Sequence, residues 1–74
     1  MATLKPNNLR LTLARNIRQA RKHRGWSQEQ LAERASLSSV YISQIESSRK
    51  AASVDVIELL ALGFETPAEL LLRG

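Results

Sequence analysis

The chain has 74 residues, room for one domain, 1–74; a chain this short buries only about 60–65% of the surface it exposes when unfolded, so its core is small. It contains no cysteine and a single histidine, His23, which excludes disulfide staples and thiolate metal sites. No apolar run approaches the roughly 18–20 residues of a membrane span, and Met1 to Pro6 lack the apolar centre of a signal peptide, so the expectation is a soluble cytoplasmic protein with no metal, cofactor, small-molecule ligand or membrane partner.

The net charge of +4 hides an asymmetry. Lys5, Arg10, Arg15, Arg18, Arg21, Lys22 and Arg24 all precede Glu29, the first carboxylate side chain, whereas from Glu29 onward seven acids face only four bases, Arg34, Arg49, Lys50 and Arg73. One end suits a polyanion, and the other does not. On charge alone a solvated basic helix face and a nucleic-acid surface fit equally well.

Proline occurs only at positions 6 and 67 and glycine only at 25, 63 and 74, so punctuation is sparse and no linker or repeat interrupts the chain. Leu9, Leu13, Ala14, Ile17 and Ala20 recur at helical spacing and predict a first helix over 9–24, stopped by Gly25. Ser27 is an N-cap with Gln30 as its capping-box partner and Trp26 and Leu31 in the hydrophobic-staple positions, predicting a second helix over 28–35. Leu37, Ser38 and Ile42 repeat that grammar and predict a third helix over 39–47.

The outer face of this third helix is unusual. A face made only for hydration is commonly rich in Lys and Glu, whereas Ser39, Val40, Ser43, Gln44 and Ser47 are short hydroxyls, an amide and a β-branched apolar group. Such groups can approach base edges closely without desolvating a charge, although for any one serine alone simple exposure is the better reading. Ser53 caps a fourth helix over 54–62, with Val54, Ile57, Leu60 and Ala61 inward and Gly63 as its stop. Thr66, Pro67 and Glu69 read as N-cap, first-turn proline and capping-box partner of a fifth helix over 67–72. The predicted fold is all-α, a compact bundle of five short helices.

The second and third predicted helices are joined by a turn of about three residues beside the basic first helix, the helix-turn-helix arrangement for the major groove. The stretch Trp26-Ser27-Gln28-Glu29-Gln30-Leu31-Ala32-Glu33-Arg34-Ala35, followed by Tyr41-Ile42-Ser43-Gln44-Ile45-Glu46, resembles the phage repressor and Cro type of helix-turn-helix, the XRE family, and the resemblance extends over 17–61. It implies a lambda-repressor-like fold and a transcription regulator whose partner is double-stranded DNA. Within it, Ser38, Ser39, Val40, Ser43 and Gln44 match recognition-helix positions, with Gln44 suited to adenine and Val40 to a thymine methyl. Gln28 matches a phosphate contact at a helix N-terminus, and Tyr41, Ser47, Arg49 and Lys50 match the phosphate-contacting rim, to which Arg18 of the first helix is added. The resemblance also implies a structural ion pair between Arg21 and Glu46. Ser36, Ser48 and Ala52 depart from the family pattern, which has glycine in the turn and a glycine and a proline after the third helix.

The C-terminal third carries more apolar groups than one face of two short helices needs. Val56, Leu59, Leu62, Phe64, Leu70 and Leu71 are therefore expected to form a two-fold homodimer interface, which would place two recognition helices about 34 Å apart on a pseudo-palindromic operator. Small controller proteins of restriction-modification systems are similar in plan. The alternatives are an antitoxin-like protein or an adaptor whose apolar C-terminal helices bind another chain. Catalysis is disfavoured, because His23 lies among cations with no carboxylate or thiol partner.

Overall fold

The structure, a computed structural model, describes residues 8–74, so Lys5, Pro6 and the Met1 to Pro6 segment lie outside it. Among the described residues there are five helices and no strand: α1 (Asn8–His23), α2 (Gln28–Ala35), α3 (Ser39–Glu46), α4 (Val54–Phe64) and α5 (Ala68–Leu71).

Local chemistry sets most of these boundaries. Gly25, with φ of 69°, adopts the left-handed conformation past the end of α1, and Trp26 N donates to Arg21 O at 3.1 Å to close the helix end. Ser27 and Gln30 form a reciprocal capping box at the start of α2, Gln30 N donating to Ser27 Oγ at 3.0 Å and Ser27 N to Gln30 Oε1 at 2.7 Å. Ser38 Oγ accepts from Tyr41 N at 3.0 Å and Ser53 Oγ from Val56 N at 3.1 Å, capping α3 and α4 in the same way.

Two expected boundaries are corrected. α4 runs through Gly63 to Phe64 and stops at Glu65, which takes the left-handed cap at φ 55°. Gly63 is a packing glycine, because a Cβ there would stand 3.2 Å from Ala35 N and from Arg34 C and O, backbone atoms of α2. α5 is capped by Pro67, without a side-chain cap bond, so Thr66 and Glu69 do not form the expected box. Val54, expected inward, is 78% exposed on the first turn of α4.

The largest fully buried side chains are Ile17 of α1, Leu31 of α2, Ile42 and Ile45 of α3, and Leu60 of α4. Each contributes on the order of 1.5–3 kcal/mol of apolar burial, so four helices share one centre. Leu13, Ala32, Ala35, Ala61, Phe64 and Leu71 complete it. α5 is tied to α1 by Asn16, whose Nδ2 donates to Leu71 O and Arg73 O at 2.8 Å each.

Trp26 reaches across to α4 and stacks on Phe64, with centroids 5.7 Å apart and planes 4° from parallel. Arg34 lies 4.3 Å from the Trp26 ring centroid, and Arg24 reaches both rings, 5.5 Å from the Trp26 centroid and 4.9 Å from that of Phe64, so two cations contact the aromatic pair. Arg24 Nη2 also donates to Phe64 O at 3.0 Å. This stack fixes the turn before α2 against the end of α4.

Candidate nucleic-acid interface

The turn between α2 and α3 depends on Ser36, which adopts φ 57° and ψ 41° where a glycine would be unstrained. Leu37 N donates to Ala32 O at 2.8 Å, satisfying a carbonyl at the end of α2 and sending the chain sharply into α3. The start of α2 and the outer face of α3 thereby flank one concavity, lined by Gln28, Glu29, Ser39, Val40, Ser43, Gln44 and Arg49.

Four of the five expected base-facing residues, Ser39, Val40, Ser43 and Gln44, thus share a surface with Gln28 and Arg49. Val40 is 66% exposed, a large apolar group offered to solvent at the centre of this face. Ser38 is exposed but its Oγ is engaged as the α3 cap. Arg49 arrives through the loop after α3: Ser48 takes φ 64°, and Arg49 N and Lys50 N both donate to Gln44 O, at 2.9 and 3.3 Å. Ser47 Oγ donates to the same carbonyl at 3.1 Å. Lys50 Nζ lies 5.2 Å from the Tyr41 ring centroid, pairing two rim residues by a cation–π contact.

Behind the concavity, Glu46 is 5% exposed and is the buried charged group of the described residues. Arg21 grips it with two prongs, Nε to Oε2 at 2.7 Å and Nη2 to Oε1 at 3.0 Å. The hydrogen bond from Arg21 to Glu46 holds the guanidinium above its ordinary value, against the opposing effect of burial, with further help from the charges of Glu46 and Glu29. Arg21 Nη1 also donates to Trp26 O at 2.8 Å, one residue before the α2 cap.

Arg18, expected on the phosphate rim, is exposed and directs Nη1 to Glu46 O at 2.9 Å, satisfying a carbonyl at the α3 C-terminus. It is absent from the lining of the concavity. Two expected interface residues are corrected: Phe64 and Leu71, 2% and 3% exposed, fill this chain's own core. Val56 and Leu59 are half-buried, while Leu62 and Leu70 remain exposed, at 73% and 42%.

Sequence reading missed two features. Glu29 shares the concavity with Gln44 and Arg49, yet its place in the first turn of a helix reads as dipole compensation alone. Gln28 Nε2 donates to Glu46 Oε1 at 3.2 Å across 18 positions of sequence, and no local pattern signals so distant a pairing. Among the described residues no group of three His, Cys, Asp or Glu side chains could hold a metal ion, and no helix is long and apolar enough to cross a membrane.

A helix-turn-helix family model matches residues 17–71, and the chain belongs to this XRE-type helix-turn-helix family of DNA-binding regulators, a class that is not enzymatic. A hypothetical transcription factor of Neisseria meningitidis serogroup B is 38% identical over 65 residues, 88% of this chain and 61% of that protein, so the match spans under two thirds of its length. The crystal structure of a hypothetical transcription factor from Neisseria superposes with a TM-score of 0.86 at 34% identity, covering 99% of this chain and 84% of the other. The restriction-modification controller protein C.AhdI of Aeromonas hydrophila gives a TM-score of 0.81 at 26% identity, covering 84% of this chain and 94% of the other.

Proposed function

We propose that the chain is a sequence-specific double-stranded-DNA-binding transcription regulator that acts as a homodimer on a pseudo-palindromic operator, with α3 in the major groove. The observation that carries this reading is the single concavity in which Val40, Ser43 and Gln44 of α3 stand beside Gln28 of α2 and Arg49. Neutral groups that can read base edges are thus flanked by a helix N-terminus and a cation, the two kinds of group that contact phosphates. The Neisseria transcription factor and the controller protein support the regulatory role by similarity.

In this reading Gln44 takes the base contact, Val40 packs on a thymine methyl, and Ser39 and Ser43 give shorter contacts. Gln28, Arg49, Lys50, Tyr41 and Ser47 hold the sugar-phosphate rim. Ser38 serves α3 as its cap, and Arg18 serves Glu46. The exposed Leu62 and Leu70, with Val56 and Leu59 beside them in sequence, form the self-association surface.

Selection from a randomised duplex library, followed by titration with salt, tests the proposal. Enrichment of a two-fold site with half-sites about one helical turn apart is the expected result. Gln44→Ala then lowers the ratio of specific to random binding, by an amount on the order of 1–3 kcal/mol, while Arg49→Ala weakens all sequences alike and flattens the salt slope by about one. Recovery of no motif, with all binding lost at physiological salt, overturns the reading in favour of a protein-binding adaptor or antitoxin-like role.

A further inference from the structure

We infer that Glu46 is a positioning residue for DNA binding: from behind the interface it fixes the amide of Gln28 so that an N–H donor is held ready for a backbone phosphate. The inference rests on the DNA-binding reading above and adds to it a residue that itself touches no nucleic acid.

A glutamine amide has a donor end and an acceptor end, and only the donor end suits a phosphate. A freely turning amide presents the wrong end part of the time and loses rotamer freedom on binding. The Glu46 carboxylate, both of whose oxygens accept from Arg21, resolves that ambiguity: the group facing it must be Nε2, and Nε2 lies 3.2 Å from Oε1. The second N–H of the same nitrogen has no partner in the described residues and is left for a ligand, and Gln28 lines the concavity.

The anchor is itself immobile. Arg21 occupies both carboxylate oxygens, at 2.7 and 3.0 Å, and neutralises the charge that would otherwise repel a phosphate. Arg18 holds the backbone carbonyl of the same residue at 2.9 Å, so α1 restrains Glu46 at the side chain and at the main chain. Arg21 also holds Trp26 O, next to the α2 cap, so the helix that carries Gln28 is referenced to the same guanidinium. A carboxylate needed only to pair with Arg21 would not require this third donor.

Two measurements test the assignment. In the DNA-free protein, side-chain amide relaxation by NMR should show the Gln28 Nε2 group nearly as ordered as the backbone and far more ordered than exposed Gln19; mobility equal to that of Gln19 overturns the inference without any variant. The second is a double-mutant cycle on DNA affinity with Glu46→Gln and Gln28→Ala, with folding of each variant checked by melting. Each single change should weaken specific and random DNA by about tenfold, the scale of one charge-assisted hydrogen bond, and the double variant should lose no more than either. If Glu46→Gln costs as much in the Gln28→Ala background as in the wild type, Glu46 acts through folding alone and the inference fails. A wild-type chain that binds no DNA overturns the functional reading as well, whereas a mobile Gln28 or additive losses in a DNA-binding chain overturn only this one.

Discussion

Gly63 of α4 lies against Ala35 of α2 so closely that a Cβ at position 63 would stand 3.2 Å from the Ala35 backbone nitrogen. The neighbouring atoms are main chain, so relief requires moving a helix. Gly63→Val should therefore lower stability by about 1–3 kcal/mol, the range for overpacking, despite removing a helical glycine. Thermal melting checks this; an unchanged midpoint would mean that α2 and α4 are not in contact here. Since α2 carries Gln28, separation of the two helices should also weaken DNA binding.

Ser36 and Ser48 hold left-handed backbone at φ 57° and 64° without the freedom of glycine. The conformation costs an L-residue about 1–2 kcal/mol, so Ser36→Gly and Ser48→Gly should each raise stability by about 0.5–1 kcal/mol once the entropy of the unfolded glycine is deducted. Gly25 supplies the internal comparison, because its φ is 69° and a Cβ there meets nothing within 4 Å. Gly25→Ala should lower the melting midpoint through conformation alone. Opposite signs for the two kinds of substitution are the diagnostic result in urea titrations.

Removal of the Arg21 side chain leaves Glu46, 5% exposed, without its main counter-charge. Arg21→Ala should cost about 3–5 kcal/mol, and for a domain this small the melting midpoint should fall by more than about 10 °C. The Arg21 guanidinium is held above its ordinary value chiefly by its hydrogen bond to Glu46. Such a shift stabilises the fold at every pH below the unfolded value and is lost only as pH climbs through the folded one, far into the alkaline range. Arg21 itself therefore adds no pH dependence to the stability of the wild-type chain near neutrality.

Much of this architecture was legible because helix starts are written locally. Ser27, Ser38 and Ser53 each announce an N-cap, and each accepts the expected backbone N–H. Helix ends were harder to read. Gly63 has the composition of a stop but is needed for the approach of α4 to α2, and Glu65 performs the left-handed cap that composition assigns to glycine. Ionic and amide contacts between distant segments were the least legible part. The bond from Arg18 to Glu46 O, across 28 positions of sequence, has no local signal. The Gln28–Glu46 bond has no signature in either helix taken alone.

The same limit governs the apolar C-terminal helices, where periodicity could not divide core from interface. The structure separates buried from exposed side chains: Leu71 is 3% exposed and Phe64 2%, whereas Leu62 is 73% and Leu70 42%. A charge at position 62 should leave the protomer folded, because that side chain contributes little to its core, and should disrupt only contacts made with another chain. Leu62→Lys is thus expected to melt near the wild-type midpoint while sedimenting as a monomer and losing cooperative operator binding. Leu71→Lys should instead unfold the protomer, since it places a charge in the core beside α1. If Leu62→Lys sediments as a dimer, self-association must use a different surface. If the wild type is itself monomeric at micromolar concentration, the exposed Leu62 face is left for another protein, the arrangement expected of an antitoxin-like chain.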